Sequence, residues 1–173
     1  ERARGGRGSL IDVIGEPGMG KSRLVAEFTR EADDLVVLSG PSSSYESKTP
    51  YFPFRALLRE LLGIGPRHGA DAIAARLAAH AVNAPHLLPW LSLIGVVLDV
   101  ELPSTLETEE LDERFRGAKL EEVLVEFLEV AMPTQALLIF ENTHLMDDAS
   151  AELLRRIEGS LDDVPWLILA TRR

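Results

Sequence analysis

Apolar residues along the chain alternate between short unbroken runs and stripes of three-to-four spacing, the pattern of strands alternating with helices. Ser9-Leu10-Ile11-Asp12-Val13-Ile14 ends at Gly15 and predicts a buried strand; Leu24, Val25 and Phe28 then fall at helical spacing within Lys21 to Ala32. A second strand is predicted at Leu35 to Leu38. Strand, helix and strand in that order imply a right-handed crossover and a parallel sheet. The Ser-rich stretch from Pro41 to Pro50 reads as a loop, with Pro53 in the first turn of a helix reaching Leu62. Shorter helices are predicted at Asp71 to His80 and Leu87 to Ile94, making residues 53–94 a helical insert between strands. Pro103 to Thr108 reads as a polar linker.

Beyond it, Leu111, Phe115, Leu120, Val123, Leu124, Phe127, Leu128 and Ala131 form one apolar stripe, stopped by Pro133. Pairs four apart, Asp112 with Arg116 and Glu110 with Arg114, fall on its polar side. Ala136-Leu137-Leu138-Ile139-Phe140 is the most strand-like run and predicts a central strand closed by Glu141 and Asn142. A helix from Ser150, its expected N-cap, to Leu161 and a last strand at Trp166 to Ala170 complete the pattern. The predicted fold class is α/β: three layers, with a mainly parallel sheet between helices.

Chemistry enters at one motif. Gly15-Glu16-Pro17-Gly18-Met19-Gly20-Lys21-Ser22 is G-x-x-x-x-G-K-[ST], placed between a predicted strand and a predicted helix as that motif requires. Its glycines let successive backbone N–H groups turn toward a β-phosphate, and the helix start adds unsatisfied N–H groups and the positive dipole end. Gly15, Pro17, Gly18, Met19, Gly20, Lys21, Ser22 and Arg23 are the predicted nucleotide contacts. Lys21 would neutralise β- and γ-oxygens and the Ser22 hydroxyl would ligate Mg²⁺. Such a site needs an acid at the end of another strand to hold the metal and align a water, and Glu141 and Asn142 occupy that place. Thr171, Arg172 and Arg173 end the last strand, where a hydroxyl or guanidinium could sense a γ-phosphate. His144, two residues beyond Asn142, could orient a water or a partner loop, but reads first as an ordinary loop histidine.

Composition narrows the partners. Hydrophobic residues make up 46% and charged residues 27%, the balance of a folded globular protein, and 173 residues suit one domain. The absence of cysteine excludes disulfides, thiolate metal sites and cysteine nucleophiles, and fits a cytoplasmic setting. The net charge of −10, with basic residues interleaved among acids, argues against direct nucleic-acid binding. No run approaches the roughly 20 apolar residues of a membrane span.

Four blocks together resemble the AAA-like ATPase domain of STAND regulators: Gly15 to Leu24, Pro50 to Leu58, Leu137 to Asp147 and Ala170 to Arg173. Such domains occur beside class III adenylate or guanylate cyclases and in large LuxR-type transcription regulators. The resemblance implies an ATP/ADP- and Mg²⁺-dependent switch of slow hydrolysis that acts on neighbouring cyclase or DNA-binding output domains. It implies the strand order first-fourth-third-second. By position it gives Lys21 the β- and γ-phosphates, Ser22 and Glu141 the Mg²⁺, and Thr171 with Arg173, or Arg172 in another register, the sensor role. Lys21, Glu141 and Asn142 are the catalytic candidates.

In that family the residue after the first acid is usually a second acid that polarises water. Here it is Asn142, whose amide cannot take a proton as a carboxylate does, so turnover is expected to be slow or nil. The family's pocket also extends upstream of Glu1 and past Arg173 into a further strand, a helical lid and a winged helix. Residues 1–173 are therefore expected to be the ATPase core of a longer protein, binding nucleotide weakly and self-associating through an uncovered first strand. Two other readings remain open: a non-hydrolysing nucleotide-binding or interaction module, and a P-loop small-molecule kinase with the insert as substrate lid, which Arg55, Arg59, Arg67 and Arg76 weaken by showing no lid-like clustering.

Overall fold

The computed structural model describes residues 6–32, 35–43, 45, 48–132 and 134–173. Expectations that fall on residues 1–5, on Ser44, Glu46 and Ser47 of the Ser-rich loop, and on the helix stop at Pro133 lie outside the described residues. In chain order the elements are β1 (Ser9–Ile14), α1 (Lys21–Glu31), β2 (Val36–Pro41), α2 (Phe52–Leu61), α3 (Ala70–His80), α4 (Leu91–Leu98), α5 (Leu106–Glu110), α6 (Glu113–Ala131), β3 (Ala136–Glu141), α7 (Asp148–Gly159) and β4 (Trp166–Arg172). They form two compact units, Glu1–Leu57 with Pro133–Arg173, and Leu58–Met132.

The first unit holds a four-stranded sheet of order β1-β4-β3-β2, every neighbouring pair parallel, as the resemblance implied. Strand side chains alternate between faces. Val13, Leu137, Ile139, Leu167 and Leu169 pack with Val25 and Phe28 of α1 and with its C-cap Ala32 on one face. On the other, Phe140 meets Phe54 of α2 with ring centroids 5.2 Å apart, and α7 buries Leu153, Leu154 and Ile157.

The run at Ala136 to Phe140 is central as expected: β3 lies between β4 and β2, and each of these five residues is buried. β1 takes the edge place that the implied order gave it, but the expectation that its apolar run is buried is corrected. β1 is an edge strand, with Leu10 40%, Ile11 41% and Ile14 61% exposed, because among the described residues only β4 pairs with it.

Local chemistry moves other boundaries. Asp147, not Ser150, caps α7: its carboxylate accepts the Ser150 N–H at 2.9 Å, while the Ser150 hydroxyl, fully buried, donates back at 2.6 Å.

In the second unit the helix expected at Leu87 to Ile94 is a 3₁₀ helix, Pro85–Trp90, running into α4, since Pro89 within it lacks the N–H an α-helix needs there. The supposed linker holds α5. Its N-cap Thr105 accepts the Thr108 N–H at 3.3 Å and donates its own N–H to the Thr108 hydroxyl at 2.9 Å, a reciprocal cap built from two threonines.

Asp112 caps α6, which therefore starts at Glu113. The ion pairs are Asp112 with Arg114 at 3.0 Å and Glu113 with Arg116 at 3.6 Å, replacing the four-apart pairs expected. The buried stripe starts at Leu120; Phe115 is 55% exposed beneath the Arg114 guanidinium, 4.7 Å from its ring centroid. No helix among the described residues is long and apolar enough to cross a membrane.

Candidate functional site

The loop between β1 and α1 is shaped by two glycines. Gly18 and Gly20 have φ of 82° and 85°, a region costly for side-chain-bearing residues, and Gly20 is the N-cap of α1. The Gly15 N–H donates to the Arg172 carbonyl at 3.2 Å, fastening the loop's entry to the end of β4; Leu24 N–H donates to the Gly20 carbonyl at 3.0 Å and opens the helix. The amides preceding Leu24 in this turn have no intrahelical acceptor and form an anion-seeking helix start. The Lys21 ammonium folds over the loop, donating to the carbonyls of Gly15 and, at 3.2 Å, Glu16. Pro17, Met19 and Arg23 are exposed around it.

Residues 119 positions apart meet here: the Ser22 hydroxyl donates to a Glu141 carboxylate oxygen at 2.7 Å. Glu141 closes β3 at the carboxyl end of the sheet, the same end at which β1 feeds the phosphate loop. A hydroxyl and a carboxylate are hard oxygen donors, and their convergence beside Lys21 fits Mg²⁺ bound together with phosphate oxygens.

Asn142 follows in a left-handed conformation, φ 56° and ψ 46°, that asparagine tolerates better than most residues. Its N–H donates to the Thr171 hydroxyl at 3.0 Å, and the Thr143 hydroxyl donates to the Thr171 carbonyl at 3.3 Å. Thr171 is 1% exposed, so its hydroxyl is engaged within the protein. The two terminal arginines differ. Arg172 Nε donates to an Asp12 carboxylate oxygen at 2.6 Å. Arg173 instead acts on His144, whose pKa lies below its ordinary 6.5 through desolvation first, then the charges of Arg173 and Lys21.

His144, read from the sequence first as an ordinary loop residue, is thus disfavoured as a cation by the charges of Arg173 and Lys21. Thr143 and Asp147 were also not singled out for their positions; the Asp147 carboxylate accepts the Tyr51 N–H at 3.3 Å besides capping α7. The available signal was a polar run directly after an apolar strand.

A glycine-turned helix start, a lysine folded over it and an acid on β3, one strand removed from β1 across β4, define a P-loop NTPase site. The sequence matches the AAA ATPase domain over residues 1–169, and the chain belongs to that family. AAA ATPase domains bind ATP or ADP with Mg²⁺ and hydrolyse ATP. No curated protein matches the chain.

Proposed function

We propose that this domain is a slow nucleotide-dependent switch within a larger signalling protein, distinguishing ATP from ADP rather than turning ATP over rapidly. The observation that carries this reading is the Ser22 to Glu141 contact of 2.7 Å beside Lys21, followed by an amide at Asn142 where a proton-accepting acid would speed hydrolysis. Lys21 exchanges its loop carbonyls for β- and γ-phosphate oxygens, while the loop amides and the start of α1 hold the rest of the polyphosphate. Ser22 and Glu141 would hold Mg²⁺, which when bound offsets the charge of the β- and γ-oxygens. Asn142 can orient a water through its amide but cannot take its proton. Arg173 is favoured over Arg172 as the γ-phosphate sensor, since Arg172 is paired with Asp12 while Arg173 and Lys21 act on the same imidazole.

The STAND resemblance supports cyclase or DNA-binding output domains as partners, and the exposed apolar edge of β1 supports self-association. The kinase reading loses ground because two of its arginines bind helix-end carbonyls: Arg59 to Leu98 at 3.1 Å and Arg76 to Leu62 at 2.7 Å. A fluorescent ATP analogue titrated with Mg²⁺ tests nucleotide binding, and phosphate release tests hydrolysis. Binding weaker than micromolar and slow release are expected, with Lys21→Ala weakening affinity by about 10- to 100-fold, the scale of charge-assisted hydrogen bonds. Equal binding by the Lys21→Ala protein would refute the proposal. Binding without any phosphate release would instead favour the non-hydrolysing module that Asn142 also suggests.

A further inference from the structure

β3 leaves the sheet abruptly. Its register with β4 runs from Ala136↔Trp166 to Phe140↔Ala170, and two residues later the chain is left-handed at Asn142 and enters the 3₁₀ turn Thr143–Leu145. The Asn142 N–H bonds to a side chain, the Thr171 hydroxyl at 3.0 Å, and the Thr143 hydroxyl bonds to the Thr171 carbonyl at 3.3 Å. One buried residue on β4 therefore accepts both bonds that fix the exit of β3, one through its side chain and one through its main chain.

Glu141 lies between these two anchors. On one side Phe140 is fully buried; on the other the Asn142 amide is tied to Thr171. The carboxylate that faces Ser22 at 2.7 Å projects from the single residue between them. We propose that Thr171 is a positioning residue that aims the Glu141 carboxylate at the metal, acting through the Asn142 amide and without touching nucleotide.

This rests on the reading that Glu141 and Ser22 hold nucleotide-bound Mg²⁺, and adds a residue to that site. Threonine suits the task because branching at Cβ restricts χ1, so the hydroxyl stays aimed at the amide. Valine keeps the shape and loses the acceptor. The half-buried N–H would then seek another partner by leaving the left-handed conformation, and the Glu141 carboxylate would turn with it.

The test compares affinity for a fluorescent ADP analogue in Mg²⁺ and in EDTA, for wild type, Thr171→Val, Thr171→Ser and Thr143→Val. Thr171→Val should raise the half-saturating Mg²⁺ concentration by about 10- to 100-fold, the range for groups that orient metal ligands. Its affinity in EDTA should stay within about twofold of wild type, and Thr171→Ser should keep most of the Mg²⁺ response. Hydrogen exchange in nucleotide-free protein should show the Asn142 amide protected in wild type and open in Thr171→Val.

Wild-type Mg²⁺ dependence in folded Thr171→Val, or equal losses in Mg²⁺ and EDTA, would overturn the proposal. Should Thr171→Val fail to fold, Thr171→Ala, which also removes the hydroxyl, decides: a weaker Mg²⁺ response than in Thr143→Val, which keeps the Asn142 N–H bond to Thr171, supports the role and an equal one overturns it. A wild type whose affinity does not respond to Mg²⁺ would overturn the underlying reading, and this inference with it.

Discussion

β1 and β3 deliver the two halves of the phosphate site from the same end of one sheet, and both are apolar runs in the sequence, yet they live in different surroundings. β3 is buried from Ala136 to Phe140, whereas β1 exposes Leu10, Ile11 and Ile14 and lies beside a recess of about 470 Å³ lined in part by Leu10, Asp12, Leu154, Glu158, Ala170 and Arg172. The acid comes from a strand fixed on both sides, and the phosphate loop from a strand fixed on one. An apolar run identifies a strand; its neighbours decide whether it carries the fold's stability.

The sharpest way to break that contrast is to truncate each strand. Phe140→Ala removes a fully buried ring and should cost about 3–5 kcal/mol by chemical denaturation, while Ile11→Ala, at 41% exposure, should cost under about 1 kcal/mol. Equal costs would mean that β1 is as essential to the core as β3.

At the end of β3, Asn142→Asp restores a proton acceptor without disturbing the left-handed backbone, which aspartate also tolerates. Phosphate release should rise about tenfold, the low side of general-base effects. No gain would remove Asn142 from the reaction.

A smaller effect belongs to His144. Because its folded pKa is lowered, the unfolded chain binds more protons near its ordinary 6.5, so stability rises with pH through that window and falls as pH drops below it. His144→Gln should flatten this dependence in denaturation curves between about pH 7.5 and 5.5. Bound phosphate would reverse the local field, so wild-type nucleotide affinity should strengthen on acidification more than that of His144→Gln. The same slope in both proteins would separate His144 from the site.

The smallest effect lies in the recess beside β1. Glu158 is raised above its ordinary 4.5 by burial first and by the Asp12 charge next, with Arg155 opposing. The stability it contributes is present below its unfolded pKa and lost as pH rises through its folded one. Glu158→Gln should therefore be slightly more stable than wild type at pH 7, and the gain should vanish near about pH 4, where the unfolded carboxyl is also protonated. A loss at neutral pH would show that Glu158 stabilises the β1 side.

Where the sequence reading failed, longer-range packing or an unfamiliar cap had decided the outcome. α5 was hidden in a polar stretch because its capping partner is Thr108 rather than the usual glutamate or glutamine. Ser150 looked like a cap because serine favours that position, but Asp147 three residues earlier accepts the N–H of Ser150 itself, so the helix starts before it. Phe115 matched the helical stripe by spacing, yet lies under Arg114 in solvent.

The sequence alone determined the phosphate loop, because consecutive amides hold the anion and Gly18, Gly20, Lys21 and Ser22 must then be contiguous. It also determined that Ala136 to Phe140 is an interior strand. Only the tertiary structure decided how far Leu10, Ile11 and Ile14 of β1 stay exposed, that Ser22 donates to Glu141 at 2.7 Å, and that Thr171 fastens the amide of Asn142. The physical reason is that each depends on which strand lies beside which and in what register, and pairing between distant segments leaves no periodic trace in either one.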